Sequence, residues 1–280
     1  MTRLLNLPYA ALHRLGRAYG WLRARLAPRW GKAWPQYAGE AMGGELGRRF
    51  YCEGAISAAL DPAAHPAVAR LRQALDAALG APAAGSPPEA VLGMEGMSGR
   101  KYRRLINALV AATPDARYME VGSWAGSTAC AALWNNPAQA LCIDNWSLFQ
   151  GPKDRFLRNV QSVLHPAARF RHLESDFRAV DYGAIGRFNL YLFDGPHEEQ
   201  DQYDGVRLAL PALDPVFTLV VDDWNWGPVR RGTERALADA GVTVLGKVEI
   251  RSSLDDRQPF WHGADSDWHD GYLLAVCRQA

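Results

Sequence analysis

The stretch Arg117-Tyr118-Met119-Glu120-Val121-Gly122-Ser123-Trp124-Ala125-Gly126-Ser127 joins a short apolar run to a turn with two glycines and then to a helix start. Glycine tolerates a positive φ and lets the backbone approach a ligand closely. A helix opening there leaves free N–H groups for an anionic group such as a carboxylate. The spacing is GxxxG rather than the GxGxxG of dinucleotide binders, which argues against a nicotinamide cofactor. A tight turn with no ligand would read the same way in isolation, so the rest of the chain has to decide.

Outward from this stretch the pattern alternates. Strands are expected at 117–121, 140–143, 170–173, 188–193, 217–221, 242–250 and 272–277, and helices at 99–112, 127–134, 155–164, 200–209 and 227–240. Ser98 is placed to cap the first of these helices. Such alternation implies an α/β protein, a Rossmann-like, doubly wound and mostly parallel sheet with helices on both faces. Sheets of this kind bind ligands at the carboxyl ends of their strands. The polar motifs stand there.

Asp144 ends the second of these strands and is followed by Asn145 and Trp146. An acid in this place suits a ribose diol, whose hydroxyls a carboxylate accepts well; a helix cap is the plainer alternative. Ser175 and Asp176 follow the third strand, beside an adenine ring or as another cap. Asp194 closes the strand at 188–193, with His197 three residues on. Asp222 and Asp223 close the next. Neighbouring strands would bring these three acids together, and their repulsion calls for a cation; loop acids that cap helices are the plainer alternative. All-oxygen ligands without cysteine suit Mg²⁺. Such an ion can lower the pKa of a substrate hydroxyl, and His197 has a pKa range suited to accepting a proton at neutral pH.

The combined set, Glu120/Gly122/Gly126, Asp144, Asp194 and Asp222/Asp223, resembles class I S-adenosylmethionine (SAM)-dependent methyltransferases of the metal-dependent O-methyltransferase kind. Catechol O-methyltransferase has a similar glycine motif and acid pattern. Asp194-Gly195-Pro196-His197 with Asp222-Asp223 is closer still to the macrocin and mycinamicin O-methyltransferases. The resemblance spans about residues 90–250. It implies that Gly122 and Gly126 line the methionine part of SAM, that Asp144 holds the ribose, and that Ser175 and Asp176 lie near the adenine. Glu120, Ser123, Ser127, Asn145, Trp146 and Asp194 are counted with them as cofactor contacts. It further implies Mg²⁺ on Asp194, Asp222 and Asp223, with His197 as general base. Two departures stand out: catechol-type enzymes carry Asn at the place of Asp223, and the lysine they use as base has no counterpart here.

Composition sets the wider bounds. The 280 residues allow one or two domains. Apolar residues are 48% and charged residues 22%, the balance of an ordinary globular core, and the net charge of +1 offers no field for nucleic acid. The cysteines show no metal or redox spacing and suit a reducing, cytoplasmic setting. Residues 80–88, rich in Gly and Pro, are read as a boundary between a helical N-terminal region (1–88) and a cofactor-binding domain (89–280). Residues 1–35 are basic with helical apolar spacing. They admit peripheral membrane contact, packing on the parent domain, or contact with a second subunit in a homo-oligomer. The aromatic, acidic segment 252–270, with Trp224 and Trp226, either faces a hydroxylated small-molecule acceptor or is a surface loop whose tryptophans anchor it to the core. A sugar, a natural product or a polysaccharide unit would fit. Metal-independent N- or C-methylation and a catalytically silent SAM-binding adaptor are the competing readings.

Overall fold

In the computed structural model the described residues are 55–253 and 263–280. Apolar residues alternate faces along each strand, because successive side chains in a strand point to opposite sides. In β2 (Arg117–Val121), Tyr118 points to one core and Met119 and Val121 to the other. β3 (Gln139–Asp144) divides Ala140 and Cys142 from Leu141 and Ile143 in the same way. β5 (Phe188–Phe193) divides Leu190 and Leu192 from Tyr191 and Phe193. Two cores on opposite faces of one sheet follow, so both faces need helices.

One face is covered by α1 (Pro66–Leu79), α2 (Glu89–Leu92), α3 (Arg100–Ala112), α4 (Ser127–Leu133) and α5 (Lys153–Val163). The other carries α6 (Glu199–Ala209) and α7 (Gly227–Asp239). These two pack tightly: a Cβ on Gly232 would lie 2.2 Å from the Glu199 carbonyl oxygen.

With β1 (Ala55–Ala59), β4 (Arg169–Glu174), β6 (Leu213–Val221), β7 (Thr243–Arg251) and β8 (Tyr272–Arg278), the eight strands run in the order β1-β7-β8-β6-β5-β2-β3-β4. β2 to β6 pair in parallel with their neighbours, while β8 lies antiparallel between β6 and β7. From β2 the chain first winds outward to β3 and β4, then returns to β5 on the other side. The crevice over the carboxyl ends of β2 and β5 is thus the switch point where open α/β sheets bind ligands.

Three features were not expected. β1 adds an antiparallel edge strand to β7. α1 packs on α3, with Val68, Leu71 and Leu75 in the shared core, so the Gly/Pro segment 80–88 connects two parts of that core. Ser98 does not cap α3: Gly99 is the cap residue and makes no side-chain cap bond, while the Ser98 hydroxyl is engaged by Arg103 and Ser127. The basic segment 1–35, with Phe260, Trp261, His262, Asp255 and Asp256, lies outside the described residues. No helix among the described residues is long and apolar enough to cross a membrane.

Candidate active site

Val121 ends β2 by accepting a hydrogen bond from Asp194 N, while Gly122 N donates to Ile143 O; both contacts are 2.9 Å. Gly122 then turns with φ of 86°, and a Cβ there would sit 1.8 Å from the Asp194 carbonyl oxygen. Only glycine lets the two strand ends come this close. Gly126 has φ of 88° and stands at the start of α4 against the Phe156 ring. Trp124 between them is also left-handed, with φ of 43°.

Asp144 ties this turn to the next one. Its Oδ2 accepts from Trp124 N at 2.8 Å and its Oδ1 from Trp146 N at 2.6 Å. The Trp146 indole donates to Trp124 O at 2.9 Å, packs on Phe156 and is buried. Asp144 therefore shapes the crevice, and each oxygen keeps a lone pair for a hydroxyl. Asn145 Oδ1 accepts from Ser147 N and Oγ and sits exposed. Ser175 N donates to Asp144 O, and Asp176 caps a single turn at 177–179 by accepting from Arg178 N.

Glu120 is fully buried one residue before the glycine turn. The Tyr118 hydroxyl donates to its Oε2, and its Oε1 has no partner. Burial pushes this carboxyl up to about 8, although the hydroxyls of Tyr118 and Ser123 pull the other way. The Ser123 hydroxyl is likewise buried. Ser123 also steadies the Glu120 carboxylate, and these two buried polar groups, bonded to no other residue at Glu120 Oε1 and Ser123 Oγ, make the crevice suited to a polar ligand.

The acids after β5 and β6 converge. The ligand atoms of Asp194, His197 and Asp223 all lie within 4.8 Å of one another. His197 Nε2 is 2.7 Å from Asp223 Oδ2 and 3.9 Å from Asp194 Oδ1, yet it forms no aligned hydrogen bond. Trp226 meets the imidazole edge-on at 5.2 Å. Asp222 is buried beside them. Its Oδ1 accepts from Asp223 N at 2.8 Å, which helps to hold Asp223 at φ of 55°.

The electrostatics follow from crowding. Burial raises Asp194 to about 6. Burial, then the charges of Asp194 and Asp223, push Asp222 well above the usual carboxylate range. Burial pulls the His197 imidazole down, but the two carboxylates outweigh it and carry it up to about 10. Two carboxylates, Asp194 and Asp223, beside the His197 nitrogen, with Asp222 adjoining, fit a hard divalent cation by donor chemistry.

A second group, Asp223, His269 and Asp270, is buried next to the first. There His269 Nδ1 accepts from Gly263 N at 3.0 Å, so the neutral ring carries its proton on Nε2, which faces Asp270 at 3.5 Å. A protonated Nε2 is not a ligand, and His269 reads as a strut for the acidic turn.

The two tryptophans of this turn part company. Trp226 borders the cluster. Trp224 is turned into the core with its indole N–H on Glu249 Oε1, so it does not offer a face to an acceptor. The buried Tyr102 hydroxyl near the crevice was not singled out from the sequence, and Ser98 was read there only as a helix cap. Ser and Tyr carry no positional signal outside a motif.

Residues 119–224 match the family model of a methyltransferase domain. No curated protein matches the chain in sequence. Among solved structures the chain is similar to the O-methyltransferase TomG of Streptomyces achromogenes, involved in tomaymycin synthesis and solved with SAM. Identity there is 15%, coverage 75% of this chain and 89% of the other, and the TM-score 0.48. It is similar to an O-methyltransferase of Bacillus cereus solved with S-adenosylhomocysteine (SAH), at 14% identity, 75% and 91% coverage and a TM-score of 0.46. It is also similar to TrmN of Thermus thermophilus, at 16% identity, 70% and 53% coverage and a TM-score of 0.43. The matched segment runs from β2 through the glycine turn and Asp194 to the acidic turn after β6. The chain contains a methyltransferase domain, and that domain lies in this segment.

Proposed function

We propose that this methyltransferase acts on a hydroxyl of a small molecule and that a divalent cation, Mg²⁺ or a similar ion, assists it. The observation that carries the reading is the Asp194–His197–Asp223 cluster, with Asp222 beside it, at the switch point where Gly122 packs on Asp194.

In this reading Gly122, Ser123, Gly126 and Ser127 take the methionine part of SAM. The buried, unpartnered Glu120 Oε1 faces its ammonium group, and Asp144 takes the ribose. Asn145, Trp146, Ser175 and Asp176 form the wall around the nucleoside. The sulfonium methyl is already activated, so the chain's task is alignment of oxygen, carbon and sulfur and removal of one proton. A cation held by Asp194 and Asp223, with Asp222 adjoining, would supply positive charge that acidifies the hydroxyl. His197 stands where the proton leaves. Surrounded by bare carboxylates its ring is an imidazolium; with their charge neutralised its pKa returns toward neutrality and the ring can accept a proton.

The acceptor is a small hydroxylated compound such as a sugar or a natural product. The net charge of +1 gives no field for nucleic acid. Cys130, Cys142 and Cys277 are free buried thiols, which suits a cytoplasmic protein. Peripheral membrane contact or homo-oligomer formation is assigned to residues 1–35.

The test uses the full chain, SAM, a panel of hydroxylated acceptors, and SAH release as the readout. Chelation should abolish turnover and Mg²⁺ or Mn²⁺ should restore it, while SAM still binds under chelation. Turnover in excess chelator would overturn the cation and favour metal-independent N- or C-methylation. SAM binding that depends on the cation would overturn the division of labour.

A further inference from the structure

Arg103, on α3, is fully buried, yet no carboxylate pairs with it among the described residues. Its Nη1 donates to the carbonyl oxygens of Val91 at 3.3 Å, Leu92 at 3.0 Å and Met94 at 2.7 Å. Its Nη2 reaches Gly96 O at 3.5 Å, and its Nε donates to Ser98 Oγ at 2.9 Å. The guanidinium thus gathers the strap 91–98 around itself. A buried charge held only by neutral acceptors is unusual, because burial without a counter-charge is costly. Burial lowers its pKa to about 10, which leaves it charged at neutral pH.

The strap lies on the glycine turn. Gly96 is so close that a Cβ there would sit 1.9 Å from Ser127 Oγ. Ser98 Oγ is 3.1 Å from the same atom. Ser98 is 1% exposed, and its oxygen already accepts from Arg103. Its own proton has one oxygen within reach, Ser127 Oγ. Either hydroxyl of the pair can donate to the other, and with its oxygen already accepting from Arg103, Ser98 is placed to be the donor. With Ser98 as the donor, the Ser127 proton turns away from the pair, with no other acceptor bonded to it among the described residues.

We propose that Arg103 is a positioning residue that polarises the Ser98–Ser127 pair and makes the Ser127 hydroxyl a fixed donor to the α-carboxylate of SAM. The chain of donors runs one way, from the guanidinium through two hydroxyls to the crevice. Each bond in such a chain strengthens the next. The bound carboxylate is then the counter-charge that the chain itself does not provide. The inference rests on the assignment of Ser127 to the methionine part of SAM, and it adds a discrimination: ligands without that carboxylate gain nothing from Arg103.

The experiment is calorimetric titration of the full chain with SAM and with decarboxylated SAM, which keeps the ammonium and lacks the carboxylate. The unmodified protein should prefer SAM. Ser98→Ala, which breaks the relay and leaves the strap's bonds from Nη1 in place, should weaken SAM by roughly tenfold, about one charge-assisted hydrogen bond. Decarboxylated SAM should be unaffected. Arg103→Leu should do the same; where it fails to fold, Ser98→Ala decides alone. Adding Ser98→Ala to Ser127→Ala should cost nothing more. No preference in the unmodified protein, or equal weakening of both ligands by Ser98→Ala, would overturn the relay, since a strap that merely packs treats the ligands alike. Failure of the unmodified protein to bind either ligand would instead remove the cofactor assignment itself.

Discussion

Gly122→Ala puts the closest contact in the crevice to the test. Two separable costs follow. A side chain at φ of 86° carries the strain of a left-handed backbone, about 1–2 kcal/mol. The added Cβ would also lie 1.8 Å from Asp194 O, where real contacts do not fall below 3.0 Å, so one strand end must retreat by at least 1.2 Å. Forcing a methyl group into packed structure costs about 1–3 kcal/mol more. The expected destabilisation is thus about 2–5 kcal/mol, or roughly 4–20 °C in Tm for a chain of this size. Gly186→Ala is the control. It has φ of 110° but nothing within 4 Å of its Cβ, so it carries strain without a clash. Thermal melts of both variants, followed by SAH titration, separate the terms. Gly122→Ala should melt below Gly186→Ala and lose SAH affinity by roughly tenfold or more, because such sites tolerate only about 0.5 Å of displacement. Gly186→Ala should keep SAH affinity. Equal melting points with intact SAH binding in Gly122→Ala would falsify the close approach and the role it gives Gly122.

Glu120 should make the ligand-free protein pH-sensitive. Its carboxyl is raised from 4.5 to about 8, so the stability it contributes is complete below about pH 4.5 and is lost as pH rises through 8. Urea midpoints should therefore fall between pH 5 and 8.5, and Glu120→Gln should flatten that fall; an unchanged slope would remove Glu120 as its source. Tyr118→Phe, which deletes the donor to Glu120 Oε2, should steepen it. Asp223→Asn should weaken Mn²⁺, read by electron paramagnetic resonance, by more than the roughly 10–100-fold typical of an outer partner, and leave SAH affinity intact. Matching Mn²⁺ affinities would take Asp223 out of the ligand set. Gly232→Ala drives a Cβ toward Glu199 O and should cost about 1–3 kcal/mol without changing SAH affinity, since α6 and α7 meet there away from the crevice.

Much of this was legible in the sequence because it is local. The strands at 117–121 and 188–193 fall where alternating and apolar runs place them, and the acids stand at their carboxyl ends because an open α/β sheet puts its loops there. Gly122 and Gly126 could be picked out because left-handed turns favour the one residue without a Cβ. What failed or stayed open depended on partners distant in sequence. Ser98 has the composition of a cap, yet a buried Arg103 and the Gly126 turn compete for its hydroxyl and take it. Trp224 follows the acids directly and could have faced an acceptor or anchored its loop in the core; the antiparallel return of β8 buries it against β7 and decides for the core. β1 has little apolar alternation of its own and exists as a strand because the edge of β7 is there to pair with it.

The sequence by itself determined the α/β alternation, the glycine turn and the list of acids, since each rests on backbone conformation or on side-chain chemistry within a few residues. The tertiary structure decided which acids meet. It brought Asp194, His197 and Asp223 within 4.8 Å by making β5 and β6 neighbours, and it enclosed Arg103 without an acid partner among the described residues. Strand adjacency and burial are properties of the folded sheet, and no window along the chain contains them.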